Sequence, residues 1–151
     1  ENRPVIIRSP KAIRPWQHVL EPLRGYLTLA QRLYEEGVSY GQAFNFGPRA
    51  DDAQPVAWIV QELATMWGSS AQWEVDSGQH LHEATYLKLD ISKAAHLLDW
   101  QPKLALPDAL QLTVDWARSM QLGHDMHEVT LGQIRAYQDN LSASIHSTAS
   151  T

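Results

Sequence analysis

The chain has 151 residues, 44% hydrophobic and 19% charged, which points to one globular domain and excludes a disordered chain. A net charge of -5 and a pI near 5.7 leave no electrostatic footprint for nucleic acid or an anionic membrane, although a few Arg and His can still converge on a local anion. The absence of cysteine removes disulfides, thiolate zinc sites and Cys nucleophiles together, and it fits a reducing, cytoplasmic setting. No apolar run approaches the ~20 residues that span a bilayer, and Glu1-Asn2-Arg3-Pro4 opens neither with Met nor with a signal-peptide core, so a fragment or a processed product is expected.

In chain order, Val5-Ile6-Ile7 is a β-branched run of strand character, punctuated by Ser9-Pro10-Lys11. From Val19 to Glu36, apolar residues recur at helical spacing, and Gly37 suits the stop. Gln42 to Phe46 reads as a short buried strand, ended by Gly47-Pro48. Pro55 to Trp67 reads as a second helix, with Pro55 in its first turn and Gly68 at its end. Gln72 to Asp76 alternates like an edge strand, and Ser77 to Thr85 is a polar, His-rich loop. Tyr86 to Leu89 is extended, and Ser92 can cap a short helix through Leu98. Pro107 opens a helix to about Met120, and Glu128 to Asn140 is a last helix. Residues 142–151, rich in Ser, Thr and Ala, lack periodicity and are expected to be a disordered tail. Strands separated by helices predict an α/β class. Three or four strands against five helices are too few for a complete doubly wound sheet. The layout suits a piece that completes a sheet begun elsewhere and adds a helical lobe.

The chemical motifs are informative mainly by absence. His80 and His82 would share one face of a strand, but a third ligand at cupin spacing is missing. His82-Glu83 and His127-Glu128 begin like the zinc-protease motif and fail at its second His. No metal is expected. There is no nucleophile elbow, no Walker loop and no G-x-G turn, and no Tyr has a Lys four residues later.

The most informative stretch is Arg14-Pro15-Trp16-Gln17-His18-Val19-Leu20-Glu21-Pro22-Leu23. It resembles the Arg-x-Trp-x-x-Val-x-Asp/Glu signature of extended short-chain dehydrogenases that bind nucleoside-diphosphate sugars, in particular the CDP-glucose 4,6-dehydratase branch. Three further blocks keep register. Phe44-Asn45-Phe46-Gly47 resembles a Tyr/Phe-Asn-x-Gly strand end. Tyr86 to Ala94 resembles Tyr-x-x-Asp-x-Ser-Lys, and Leu97-Leu98-Asp99-Trp100-Gln101-Pro102 resembles Leu-Gly-Trp-x-Pro. Beyond Trp116 the resemblance thins.

That resemblance implies the C-terminal part of such an enzyme: the last strands of a Rossmann-like sheet with a small, mainly helical substrate lobe in residues 1–141. It implies NAD held mainly by an absent N-terminal half, a CDP-sugar as small-molecule partner, and no nucleic acid or membrane; it leaves a homo-oligomer open. The implied reaction oxidises C4 of CDP-glucose, eliminates water across C5 and C6, and returns hydride to C6, on the way to deoxysugars of surface polysaccharides. Another sugar-nucleotide epimerase or dehydratase, or a non-catalytic binding domain, would share most of these blocks.

On the same basis no catalytic residue is assigned to this chain, and Arg14 is the expected pyrophosphate ligand, its planar guanidinium matching phosphate oxygens. Trp16 is expected to pack. Glu21 sits in the acidic position near a helix start, where either a ligand role or favourable interaction with the helix dipole accounts for it. His82 resembles a His that approaches the nucleotide, although relatives carry Arg soon after it where this chain has Glu83 and Ala84. Ile7 and Arg8, at the end of the first strand, align with residues that approach the base, and packing at the strand end accounts for them at least as well. Asn45 serves either the substrate or the backbone beside it.

Overall fold

The computed structural model describes residues 4–68, 71–78 and 85–148, with side chains as far as residue 139. Two short ribbons of strand lie among five helices, a mixed α/β arrangement. In the first ribbon, β1 (Val5–Ile7) pairs in parallel with β4 (Trp73–Val75), Val5 opposite Trp73 and Ile7 opposite Val75. Both strands were legible from their residues. In the second, β2 (Ile13–Pro15) runs antiparallel to β3 (Ala53–Pro55), with Arg14 opposite Gln54. Neither of these was foreseen, because three residues containing a proline show no alternation to read.

Pro55 therefore ends a strand, and α2 (Val56–Trp67) begins one residue later. The first amides of α2 still find acceptors: Val56 N–H donates to the Ala12 carbonyl at 3.0 Å and Ala57 N–H to the Pro10 carbonyl at 2.9 Å. This ties the helix start to the turn between β1 and β2. Helix α1 (Leu20–Glu36) ends at Gly37, whose φ of 78° is the left-handed geometry expected of it.

Gln42 to Phe46 is not a strand. Among the described residues it has no ladder partner, and side chains occupy its carbonyls instead. Lys93 Nζ donates to the Ala43 carbonyl at 2.8 Å, and Gln17 Nε2 donates to the Phe46 carbonyl at 2.8 Å. The segment is nevertheless anchored. Phe46 meets the fully buried Trp100 edge-on at 5.0 Å between centroids, with Ala94 and Leu98 beside them. Gly25 allows α1 to approach, since a Cβ there would lie 2.4 Å from the Phe46 ring.

Tyr86 makes a single parallel bridge to Ile13, so the extended run expected there contributes one pairing to the β2 edge. Helix α3 (Ser92–Leu98) is capped by Asp90 rather than Ser92: Asp90 Oδ1 accepts the Ser92 N–H at 2.8 Å. Hydrogen bonding to Ser92 also holds the Asp90 carboxyl below its ordinary pKa. The helix closes on Asp99 at φ 49°, a left-handed position that Asp tolerates and that the resembling pattern fills with Gly.

Helix α4 (Leu106–Gln121) carries Pro107 in its first turn, as expected, and packs Leu106 and Leu110 against Ile59 of α2, with Trp16, Trp58 and Met66 around them. Helix α5 (Met126–Thr148) begins after Asp125, whose Oδ1 accepts the His127 N–H at 2.9 Å. It extends through residues 142–148, which the sequence reading assigned to a tail. No Gly or Pro follows Gly132 to stop it.

Candidate functional site

Arg14 lies in the middle of β2, half-buried, between the turn from β1 and the start of α1. Its Nη1 donates to the Ile13 carbonyl at 2.9 Å. Pairing with Gln54 fixes its backbone from one side, and Trp16 locks the following residues by donating Nε1–H to the Gln54 carbonyl at 2.9 Å. Trp16 is thus a packing residue, as expected. The guanidinium is carried on a strand paired along its length.

Next to Arg14, Pro15 lines a cleft of about 220 Å³ together with Pro48, Arg49, Ala53, Lys88 and Asp90. Arg49 Nη2 donates to the Lys103 carbonyl at 3.3 Å, and Lys88 Nζ lies 5.3 Å from the centre of the Tyr86 ring. Arg49 and Lys88 thus border a cleft whose lining also includes the Asp90 carboxylate. Sequence reasoning passed over both, although Lys88 stands inside the Tyr86–Ala94 block and Arg49 just past Gly47-Pro48. Asn45 is at the same edge, donating Nδ2–H to the Asp90 carbonyl at 3.2 Å, the backbone role weighed for it.

Glu21 does not face a ligand. Its side chain is 1% exposed, and both carboxylate oxygens are engaged inside the protein. Oε1 accepts the N–H groups of Lys103 at 2.8 Å and Leu104 at 2.7 Å, and Oε2 accepts the Tyr137 hydroxyl at 2.9 Å. Arg24 stands 3.8 Å from Oε2, donates to the Tyr137 oxygen at 3.0 Å and to the Gln101 carbonyl, and lies over the Trp100 ring. The acidic residue at the helix start thus joins α1, the 101–104 loop and α5. Its hydrogen-bond partners are more than 80 positions away, so no local signal could have announced them.

Burial raises the Tyr137 hydroxyl to about 12; Arg24 opposes the shift and Glu21 adds to it. Because the folded value lies above the ordinary value of ~10, this contribution to stability is complete below pH ~10 and is lost as pH rises toward 12. Tyr137→Phe should therefore flatten the alkaline fall in stability between these values relative to wild type, as followed by urea denaturation at a series of pH values. An identical fall in both proteins would refute that assignment.

His18 is also buried, with Nδ1 accepting the Leu20 N–H at 3.3 Å; desolvation lowers its pKa, while Glu21 opposes the shift. It borders a cleft of about 310 Å³ between the start of α1, α4 and α5, with Trp116 and Ile134 on the far wall. Arg8 is exposed at the end of β1, on the other ribbon from Arg14. His82, and His80 with it, lie outside the described residues. Among the described residues no three His, Cys, Asp or Glu side chains gather to hold a metal, and no helix is long and apolar enough to cross a membrane.

No protein-family model matches the chain. Over 125 residues, 83% of its length, it is 51% identical to the CDP-glucose 4,6-dehydratase of Salmonella typhimurium (strain LT2). The chain spans 35% of that relative.

Proposed function

We propose that this chain is the C-terminal, sugar-nucleotide-binding part of a CDP-glucose 4,6-dehydratase of the extended short-chain dehydrogenase type, working in the cytoplasm. The observation that carries the reading is the 51% identity over 125 residues to a dehydratase of that name. The ordered blocks at Arg14–Leu23, Phe44–Gly47, Tyr86–Ala94 and Leu97–Pro102 agree with it, as does an Arg14 borne on a paired strand.

In this reading Arg14 binds the pyrophosphate of the CDP-sugar by paired, charge-assisted hydrogen bonds. His82 is the further residue assigned to the sugar nucleotide, whereas Asn45 serves the Asp90 backbone, Arg8 ends β1 on the other ribbon, and Glu21 acts from within by holding the start of α1. NAD supplies the hydride chemistry when bound, but this chain's own residues do not suit it. Among the described residues the positive-φ glycines, Gly37, Gly68 and Gly123, stand singly at helix ends and make no cradle leading into a helix N-terminus. Cofactor binding and the reacting groups are therefore assigned to the remainder of a longer polypeptide.

The test is turnover. The polypeptide extended to the relative's length should convert CDP-glucose to its 4-keto-6-deoxy product, whereas the 151-residue chain supplied with NAD should give none. Preference for another nucleoside-diphosphate glucose would move the reading to a different dehydratase or epimerase. A 4-keto sugar formed by the short chain alone would overturn the assignment of chemistry elsewhere.

A further inference from the structure

Strand β2 ends at Pro15 and α1 begins at Leu20, so residues 16–19 turn the chain from the strand that carries Arg14 into the helix. Three consecutive side chains set that path. Trp16 donates to the Gln54 carbonyl and Gln17 to the Phe46 carbonyl, whereas His18 accepts: its Nδ1 takes the Leu20 N–H at 3.3 Å. The His18 carbonyl takes the Glu21 N–H at 3.0 Å, and the Val19 carbonyl takes that of Leu23 at 3.3 Å. Pro22 has no N–H to satisfy. His18 therefore supplies the acceptors for both amides that open α1, groups with no partner inside the helix.

An Nδ1 that accepts leaves the ring proton on Nε2, so the contact with Leu20 exists only for the neutral imidazole. Protonation would set a second N–H against that of Leu20 and place a cation at the positive end of the helix dipole, on a residue only 9% exposed. Glu21, in the first turn of α1, is the charged group that faces the ring. From α4 and α5 the adjoining cleft is lined by Thr113, Trp116, Thr130, Gln133 and Ile134, none of them charged. Burial outweighs the attraction of Glu21, so the ring holds its proton less tightly than an ordinary imidazole. The support that His18 gives is thus complete above its ordinary pKa of ~6.5 and is lost as pH falls below it.

We infer that His18 is a positioning residue for sugar-nucleotide binding: its neutral ring fixes the turn that leads out of the Arg14 strand, and acid slackens that turn. The inference rests on the proposed role of Arg14.

The test compares full-length wild type, His18→Ala and His18→Asn. The Asn side-chain oxygen can replace Nδ1 as acceptor at a helix start and does not titrate. CDP-glucose affinity is measured by calorimetry at about pH 7.5 and about pH 5.5, a window centred on ordinary imidazole titration. Hydrogen exchange of the first turn of α1, corrected for intrinsic rates, is followed at the same pH values. At the higher pH His18→Ala should weaken binding by roughly three- to tenfold, as loss of a helix-start acceptor predicts, and His18→Asn should bind like wild type. In acid the wild type should lose affinity and first-turn protection by a similar factor, and His18→Asn should lose neither. Comparison with His18→Asn separates His18 from the other histidines. A pH response in His18→Asn equal to that of wild type would overturn the inference, as would full affinity in His18→Ala. If neither variant folds, wild-type exchange decides, since protection indifferent to pH overturns the inference alone. CDP-glucose binding with such indifferent protection leaves the functional reading standing. Absence of binding at either pH, with protection still lost in acid, removes the functional reading and leaves His18 as an acid-sensitive support of α1.

Discussion

Glu21→Ala should be the most destabilising single change at this site, on the order of 3–5 kcal/mol. The substitution strands the N–H groups of Lys103 and Leu104 and the Tyr137 hydroxyl, and it leaves Arg24 without the nearby carboxylate. Each buried group left unpaired costs about 1–3 kcal/mol, so the sum survives partial rescue by entering water. In the full-length polypeptide that corresponds to a fall of several degrees in melting temperature. Glu21→Gln separates charge from hydrogen bonding. The amide oxygen still accepts the two loop N–H groups, so about half the loss should be recovered. Thermal melts of the full-length wild type and both variants give the comparison, and an unchanged midpoint for Glu21→Ala would show that the loop and α5 are held by packing alone.

Arg14→Ala in the full-length enzyme should weaken CDP-glucose binding by roughly ten- to a hundredfold or more, since charge-assisted contacts contribute about 1.5–3 kcal/mol each. Arg14→Lys should recover only part of this, because ammonium keeps the charge and loses the forked geometry. NAD affinity should barely change. Calorimetric titration of both ligands, with dichroism to confirm folding, reads the two effects separately. Arg14 and Glu21, seven residues apart, should thus differ in what their loss affects. Arg14→Ala acts on affinity with little change in stability, and Glu21→Ala does the reverse first. Equal loss of CDP-glucose and NAD affinity in Arg14→Ala would point to general damage, and unchanged sugar-nucleotide affinity would reduce Arg14 to a residue of the β2 edge.

Much of the local structure was written in short-range patterns. Helices α1, α2, α3 and α4 follow from apolar spacing, Gly37 and Gly68 at their ends, and Pro107 in a first turn, because helix formation depends on residues three and four apart. The Arg14–Leu23 block likewise pointed to the dehydratase relative before any geometry was known. Strand pairing followed different rules. Whether a run becomes a strand depends on a partner elsewhere: Ile13–Pro15 and Ala53–Pro55 found each other despite weak patterns, while Gln42–Phe46, with the better pattern, found none among the described residues. Glu21 shows the same limit for side chains. Its position in the Arg-x-Trp block marked it as important, but its burial was decided by Lys103, Leu104 and Tyr137, which only the folded chain brings to its carboxylate. The sequence by itself determined the helices and the relative; the tertiary structure decided which carboxylate turned inward and which short strands paired, because those energies depend on contacts between distant residues.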